Sequence, residues 1–275
     1  MSKPKPARRR SRRTAASSNS YELYELSVQN TEAECDFIDQ VWRQRRRRLA
    51  HHVREDFCGS AATSIEWVKR RRKNTAIAVD IDTSVLDWAR SKLAERLTAD
   101  EQQRLSLRKG DVRQVRTPPV DCVLAMNFSY YLFKTRQELR HYFRRAHRAL
   151  VDDGLFVIDA YGGSDAFREM EEKRRVAGFT YIWDQHSYNP ITGDALNYIH
   201  YRFPDGSEIR KAFTYDWRLW TLPELQELLR EAGFAKVTTY WEGTDKKTGQ
   251  GNDEFTPTVE GDADAGWIAY LVADK

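Results

Sequence analysis

The segment Glu55-Asp56-Phe57-Cys58-Gly59-Ser60-Ala61 decides the fold, together with Asp80, which stands twenty-one residues after Gly59 and ends the run Ala76-Ile77-Ala78-Val79-Asp80. A glycine turn that opens a helical segment, followed by an apolar β-branched run closing on an acid, reads as a turn, a helix and a buried strand. Working outward, the alternation continues. Short apolar runs at residues 76–81, 120–126 and 155–158 are separated by segments of helical period at 61–72, 84–97 and 136–150. Strands alternating with helices of that length form right-handed βαβ units around a parallel sheet. A first strand ending near Glu55 is polar (His51, His52, Arg54), so its place follows from the turn after it and not from periodicity.

Beyond Tyr161 the alternation stops. Residues 180–217 read as antiparallel strands: 198–203 alternates, Pro204-Asp205-Gly206-Ser207 is a turn, and 209–217 runs back. A last helix over 222–232 stops at Gly233, and strands follow near 237–241 and 267–273. Upstream, Val28, Phe37, Ile38, Val41 and Trp42 lie near helical spacing, preceded by Thr31 with Glu32 and Glu34 in the first turn. An N-terminal helix is expected there.

With 275 residues, 40% of them hydrophobic, the chain can bury a sizeable core. The reading is one domain over 21–275 behind a basic tail, residues 1–20, whose Pro, Arg, Ser and Ala cannot repay the entropy of ordering. Seven of the 45 basic residues fall within residues 1–13, leaving 38 against 41 acids, a net of −3. The surplus charge thus belongs to the tail and not to a surface built for nucleic acid. The arginine runs at 43–48 and 69–73 read as solvated helix ends. No stretch approaches the roughly 20 apolar residues that cross a bilayer, and no apolar segment follows the basic N-terminus, so membrane insertion and export are not expected. Cys35, Cys58 and Cys122 lack paired spacing, which points to reduced thiols in a cytoplasmic protein and to no metal site.

A nucleotide-like cofactor on such a sheet sits at the carboxyl ends of the strands, where a glycine turn lets backbone approach it and an acid accepts from its ribose. The turn at Gly59, the acid at Asp80, the third strand ending in Gly110-Asp111-Val112 and the fourth ending in Asn127-Phe128-Ser129-Tyr130-Tyr131 supply four such places in register. Here the sequence resembles the class I S-adenosylmethionine-dependent methyltransferases over roughly residues 50–160. That resemblance implies a Rossmann-like, mostly parallel seven-stranded sheet with helices on both faces, residues 180–217 being an antiparallel insertion that covers the active site. It also implies S-adenosylmethionine as cofactor: Glu55 near the methionine amino group, Phe57, Cys58 and Gly59 forming the turn, and Asp80 with Ile81 at the ribose. Asp111 then faces the adenine amine, Val112 packs on the ring, and Asn127 and Phe128 lie beside the transferred methyl. Phe57 and Ala61 stand where the family has glycines. A dinucleotide fold is disfavoured, because Gly59 is followed by Ser60, Ala61 and Ala62, with no second glycine to admit a pyrophosphate.

Each acid also has a plainer reading: Glu55 as a solvated strand end, Asp80 as a helix cap, Asp111 as a turn former. Tyr21 and Tyr24, within an N-terminal helical lid over 21–49, either close over the cofactor or anchor the first helix as an i, i+3 pair. Methyl transfer from a sulfonium needs positioning and exclusion of water more than a base. Candidate bases are Tyr130, Tyr131, Tyr161 and His186. The aromatic load of 180–217 suits a closed pocket for a small-molecule acceptor at N, O or C. Two other functions fit the same features: a methyltransferase acting on RNA or protein through the basic tail, and a non-catalytic cofactor-binding module. The acceptor and the oligomeric state have no signature in the chain.

Overall fold

The computed structural model describes residues 13–176, 178–245 and 251–275. Five strands form a parallel block: β1 (His52–Asp56), β2 (Thr75–Asp80), β3 (Leu105–Lys109), β4 (Val120–Ala125) and β5 (Leu150–Gly162). Three antiparallel strands, β10 (Lys236–Thr244), β11 (Gly251–Thr258) and β12 (Trp267–Asp274), continue it in the order β11-β10-β12-β5-β4-β1-β2-β3. The sheet therefore has eight strands and not the seven expected. The added edge strand β11 begins Gly251-Asn252-Asp253-Glu254 and carries no alternation that marks a strand.

Helices α3 (Ala62–Arg70), α4 (Thr83–Arg96), α6 (Arg136–Ala149) and α7 (Leu222–Ala232) cover the sheet, and α5 (Ala99–Gln103) links α4 to β3. The expected helix over 222–232 is α7, capped by Thr221 with Glu224 and ended by Gly233 at φ +113°. The N-terminal helix divides into α1 (Ser20–Ser27) and α2 (Thr31–Arg45), because Asn30 starts a new helix by accepting from the Ala33 amide. β1 survives its polarity through internal partners. The fully buried Arg54 donates to Asp56 at 2.7 Å and to the Val112 carbonyl at 3.1 Å, and Tyr142 donates to Asp56 at 3.0 Å. The His51 and His52 amides donate to buried Asp121 at 2.7 and 2.9 Å.

The antiparallel insertion is larger than expected. It is a separate four-stranded sheet in sequential order, β6 (Met170–Val176), β7 (Phe179–Tyr188), β8 (Asp194–Arg202) and β9 (Glu208–Arg218). Its inner face carries Trp183, Asn197, Ile199, Tyr201, Tyr215 and Trp217, with α1 packed on it through Leu23.

The tail expected to be disordered to Ser20 is ordered from residue 13, since it finds partners on this second sheet. Thr14 and Ser17 close a capping box, the Ala15 amide donates to Ser207 Oγ at 2.9 Å, and Arg13 pairs with Glu22 at 2.9 Å. Residues 1–12 lie outside the described residues. The arginine runs are engaged in ion pairs: Arg45 and Arg46 with Asp274, Arg48 with Asp121 and Asp153, Arg70 with Asp36 and Glu66, and Arg71 with Asp39. No helix among the described residues is long and apolar enough to cross a membrane.

Candidate active site

The turn after β1 keeps glycine-like geometry with one glycine. Phe57, Gly59 and Ala61 have φ of +56°, +51° and +58°. Phe57 and Ala61 thus hold, in the left-handed region, the conformation that glycine would take without the roughly 1–2 kcal/mol penalty of a Cβ. Phe57 offsets this by packing its ring on Tyr142 at 5.4 Å, and Ala61 is fully buried. A Cβ built on Gly59 meets nothing within 4 Å, so the space above the turn is open. The turn is tied to β2 by the Gly59 amide donating to Asp80 Oδ2 at 2.8 Å and the Cys58 amide to the Val79 carbonyl at 2.9 Å. Asp80 Oδ1 accepts from the Asp82 amide at 2.9 Å. The cap of α4 is Asp82, which accepts from the Ser84 amide at 2.8 Å, and not Asp80.

A second turn follows β4. Asn127 and Phe128 both adopt left-handed φ, +58° and +57°. Their amides donate to the two oxygens of Asp159, at 2.7 and 2.9 Å. Sequence reading missed Asp159 because the apolar run was closed at Ile158; an acid ending a buried strand, as in Val79-Asp80, was the available signal. The turn aims the Phe128 ring at Tyr161 (4.7 Å between centroids) and Trp217 (6.4 Å). Trp217 continues into Tyr215 at 4.5 Å and Trp183 at 6.0 Å.

Between the turns lie three carboxylates, Glu34, Glu55 and Asp159, each no more than 6% exposed, and none has a side-chain cation among the described residues. Glu55 Oε2 accepts from Ser64 through its amide at 2.9 Å and its hydroxyl at 2.5 Å. Glu34 accepts from Thr63 Oγ1 at 2.6 Å. Burial, reinforced by neighbouring acids, pushes Glu55 up to about 8 and Asp159 up to about 7, and burial raises Glu34 as well. Buried anions without a counter-charge are costly, so this cluster fits a ligand that brings positive charge. S-adenosylmethionine brings an ammonium and a sulfonium. Ser60 Oγ, buried within the glycine turn and without a partner, is a further unsatisfied group beside it. Glu34 escaped the sequence reading because acids in a first helical turn are ordinary.

The remaining candidates divide. Val112 is buried and Ile81 is 67% exposed at the end of β2. Asp111 is engaged by Arg113, whose guanidinium approaches to 2.7 Å and holds its carboxyl below the usual carboxylate range. Tyr21 lies against Trp88 at 5.5 Å, near Asp80 and Asp82, whose charges together with burial raise its phenol. Tyr24 packs on Phe213 at 5.0 Å and is hydrogen-bonded to Tyr215, and its phenol is raised chiefly by burial. Thus α1 spans from the Asp80 side to the second sheet.

Three of the four candidate bases are placed away from that role. Tyr130 and Tyr131 are fully buried core residues: Tyr130 donates to the Asp159 carbonyl at 2.7 Å and Tyr131 to the Trp220 carbonyl at 3.3 Å. His186 is half exposed and lies beside Asp184 and Tyr198, on the opposite face of the second sheet from Trp183. Tyr161 does face Phe128, with its phenol raised by burial.

Residues 55–154 match the methyltransferase domain family. No curated protein sequence matches. Among solved structures, a S-adenosylmethionine-dependent methyltransferase from Clostridium acetobutylicum aligns over 92% of this chain and 96% of its own at 14% identity, with a TM-score of 0.65. An amino pentose methyltransferase from Micromonospora echinaspora aligns over 94% and 97% at 17% identity and 0.65. A sugar N-methyltransferase from a Streptoalloteichus species aligns over 100% and 98% at 17% identity and 0.62. The fold is the Rossmann-like one of these methyltransferases, and residues 55–154 match a methyltransferase domain.

Proposed function

We propose that the protein transfers the methyl group of S-adenosylmethionine to a nitrogen of a small-molecule acceptor. The observation that carries this reading is the aromatic wall of Tyr215, Trp217 and Trp183 running from Phe128 across the second sheet. Such a wall encloses a small ligand and excludes water. Nitrogen is favoured because an amine attacks with its own lone pair. A hydroxyl acceptor wants a base; Tyr130, Tyr131 and His186 are not placed to be one, and Tyr161, which faces Phe128, is a phenol that burial keeps protonated. The amino pentose and sugar N-methyltransferases of the same fold support the choice.

The bound cofactor supplies an already activated methyl. On this reading Glu55 holds the methionine ammonium, Phe57, Cys58 and Gly59 admit the cofactor to the backbone, and Asp80 accepts from the ribose with Ile81 beside it. Val112 and Asp111 flank the adenine. Asn127 and Phe128 set the position of the methyl, and Tyr21 and Tyr24 close the site from α1. Held there, the cofactor would give its methyl to the nitrogen lone pair, the carbon–sulfur pair returning to sulfur and the positive charge passing to nitrogen, and these residues would keep the two in line. The three thiols, all buried and unpaired, support a cytoplasmic location.

The test is a screen of hydroxylated amines and metabolite extracts with S-adenosylmethionine, read by mass spectrometry. Methylated amines support the reading; transfer confined to RNA or protein, lost at physiological salt or on deleting residues 1–12, overturns it.

A further inference from the structure

The three buried carboxylates sit where a positive sulfur would be distinguished from a neutral one. Asp159 carries the turn of Asn127 and Phe128, Glu55 stands one residue before the end of β1 below the glycine turn, and the charge of Glu34, from α2, acts on both. The groups that act most strongly on them or feel them among the described residues are acids, thiols and phenols. Asp80 faces Glu55 from β2, and Cys35 and Cys58 adjoin it as thiols pushed up by burial. Tyr24 from α1, Tyr130 and Tyr131 after β4, and Tyr270 from β12 face Asp159 or Glu34 as phenols pushed up by burial. Arg70 bears on Cys35 and is itself paired with Asp36 and Glu66. Ser60 Oγ, in the turn that follows Glu55, is buried with no hydrogen-bond partner among the described residues, as a group completed by a ligand would be.

We propose that Glu34, Glu55 and Asp159 read the charge on the cofactor's sulfur, holding the sulfonium cofactor in preference to its thioether product and releasing protons to solvent as the cation enters. The proposal rests on S-adenosylmethionine as cofactor and is independent of the acceptor. Its physical basis is that like charges confined together keep protons until a cation relieves them. The empty cluster holds protons near neutrality, in line with the raised carboxyls of Glu55 and Asp159. S-adenosylmethionine brings one positive charge more than S-adenosylhomocysteine, so it displaces more of them. After transfer to an amine the charge rests on the acceptor nitrogen, and the cluster faces a neutral thioether once that product departs. It then takes protons back from solvent, which weakens its discrimination against the thioether at low pH.

Calorimetry of S-adenosylmethionine and of S-adenosylhomocysteine, each in two buffers of different ionisation enthalpy, measures the protons released. Release near pH 7 is expected to be larger for S-adenosylmethionine, and the affinity ratio in its favour should rise from about pH 6 to about pH 8. Glu34→Gln keeps an acceptor for Thr63 but removes a charge. It should weaken S-adenosylmethionine about tenfold while moving S-adenosylhomocysteine less than about twofold. Equal proton release by the two ligands in the unaltered protein, or equal losses in the variant, overturns the proposal alone. Binding of neither ligand overturns the cofactor assignment along with it.

Discussion

Two turns build the cofactor side of this site, and each is tied by an aspartate that accepts from two backbone amides. The turn after β1 has a glycine, and Asp80 holds it by one amide while using its second oxygen on Asp82. The turn after β4 has none, and Asp159 spends both oxygens on the adjacent amides of Asn127 and Phe128. Asp80 is part exposed, whereas Asp159 is 5% exposed. Where glycine is present the acid keeps some exposure and can bond a ligand as well; where it is absent both oxygens of the acid hold strained backbone, and it acts on a ligand through its charge alone.

Asp159→Ala tests this difference with the largest expected effect. Two left-handed residues lose both anchors, and displacement of a reacting group by about 1 Å lowers turnover by about a hundredfold. Turnover should fall by at least that factor, with stability lowered by about 2 kcal/mol. Steady-state kinetics and denaturant unfolding of the same variant check it. If turnover is retained, Asp159 does not position the methyl-transfer turn.

Asp80→Ala comes next. Loss of charge-assisted bonds to the ribose, each contributing roughly 1.5–3 kcal/mol, should lower cofactor affinity at least tenfold. Part of this loss passes through the Gly59 amide, which would then lack its partner. Titration calorimetry reads it, and unchanged affinity removes Asp80 from the site.

The contrast between the two aspartates is also one of legibility. The unit from Ala76 to Asp80 was readable because strands buried on both faces are written as apolar runs. β1 was not, since its core contains Arg54 and Asp56, which satisfy one another out of solvent. The charged strand β6, Glu171-Glu172-Lys173-Arg174-Arg175, is an exposed edge with no apolar period to detect. Phe57 and Ala61 concealed the turn because positive φ in a side-chain-bearing residue depends on packing by Tyr142 and the core, which local sequence does not encode. Asp159 and Glu34 act only after β4, β5, α2 and α3 have been brought together, so their roles belong to tertiary structure.

A smaller effect follows from the raised carboxyls. Glu55 and Asp159 titrate at about 8 and about 7 in the folded empty protein, above their ordinary values in the unfolded chain. The folded state then binds more protons between those limits. Its stability is full below the unfolded values and is lost as pH rises through the folded ones. The melting temperature of the ligand-free protein should fall between about pH 5 and about pH 8, and saturating S-adenosylmethionine should flatten that slope. Scanning calorimetry across pH checks it; a melting temperature that climbs over this range contradicts an uncompensated acid cluster.

The smallest effect isolates the helix cap from the ligand acid two residues away. Asp82 accepts from the Ser84 amide at 2.8 Å and is the N-cap of α4, and such caps contribute about 1 kcal/mol. Asp82→Ala should therefore lower stability by about 1 kcal/mol and leave cofactor affinity within about twofold, the reverse of Asp80→Ala. The two variants share a loop, so a general loosening of that loop would lower affinity in both. A double variant tells whether they couple: independent roles give stability losses that add within about 0.5 kcal/mol, whereas a shared loop motion gives a deviation larger than that. If Asp82→Ala weakens the cofactor as much as Asp80→Ala does, the affinity loss in both belongs to the loop, and the ribose contact ceases to be the reason for Asp80.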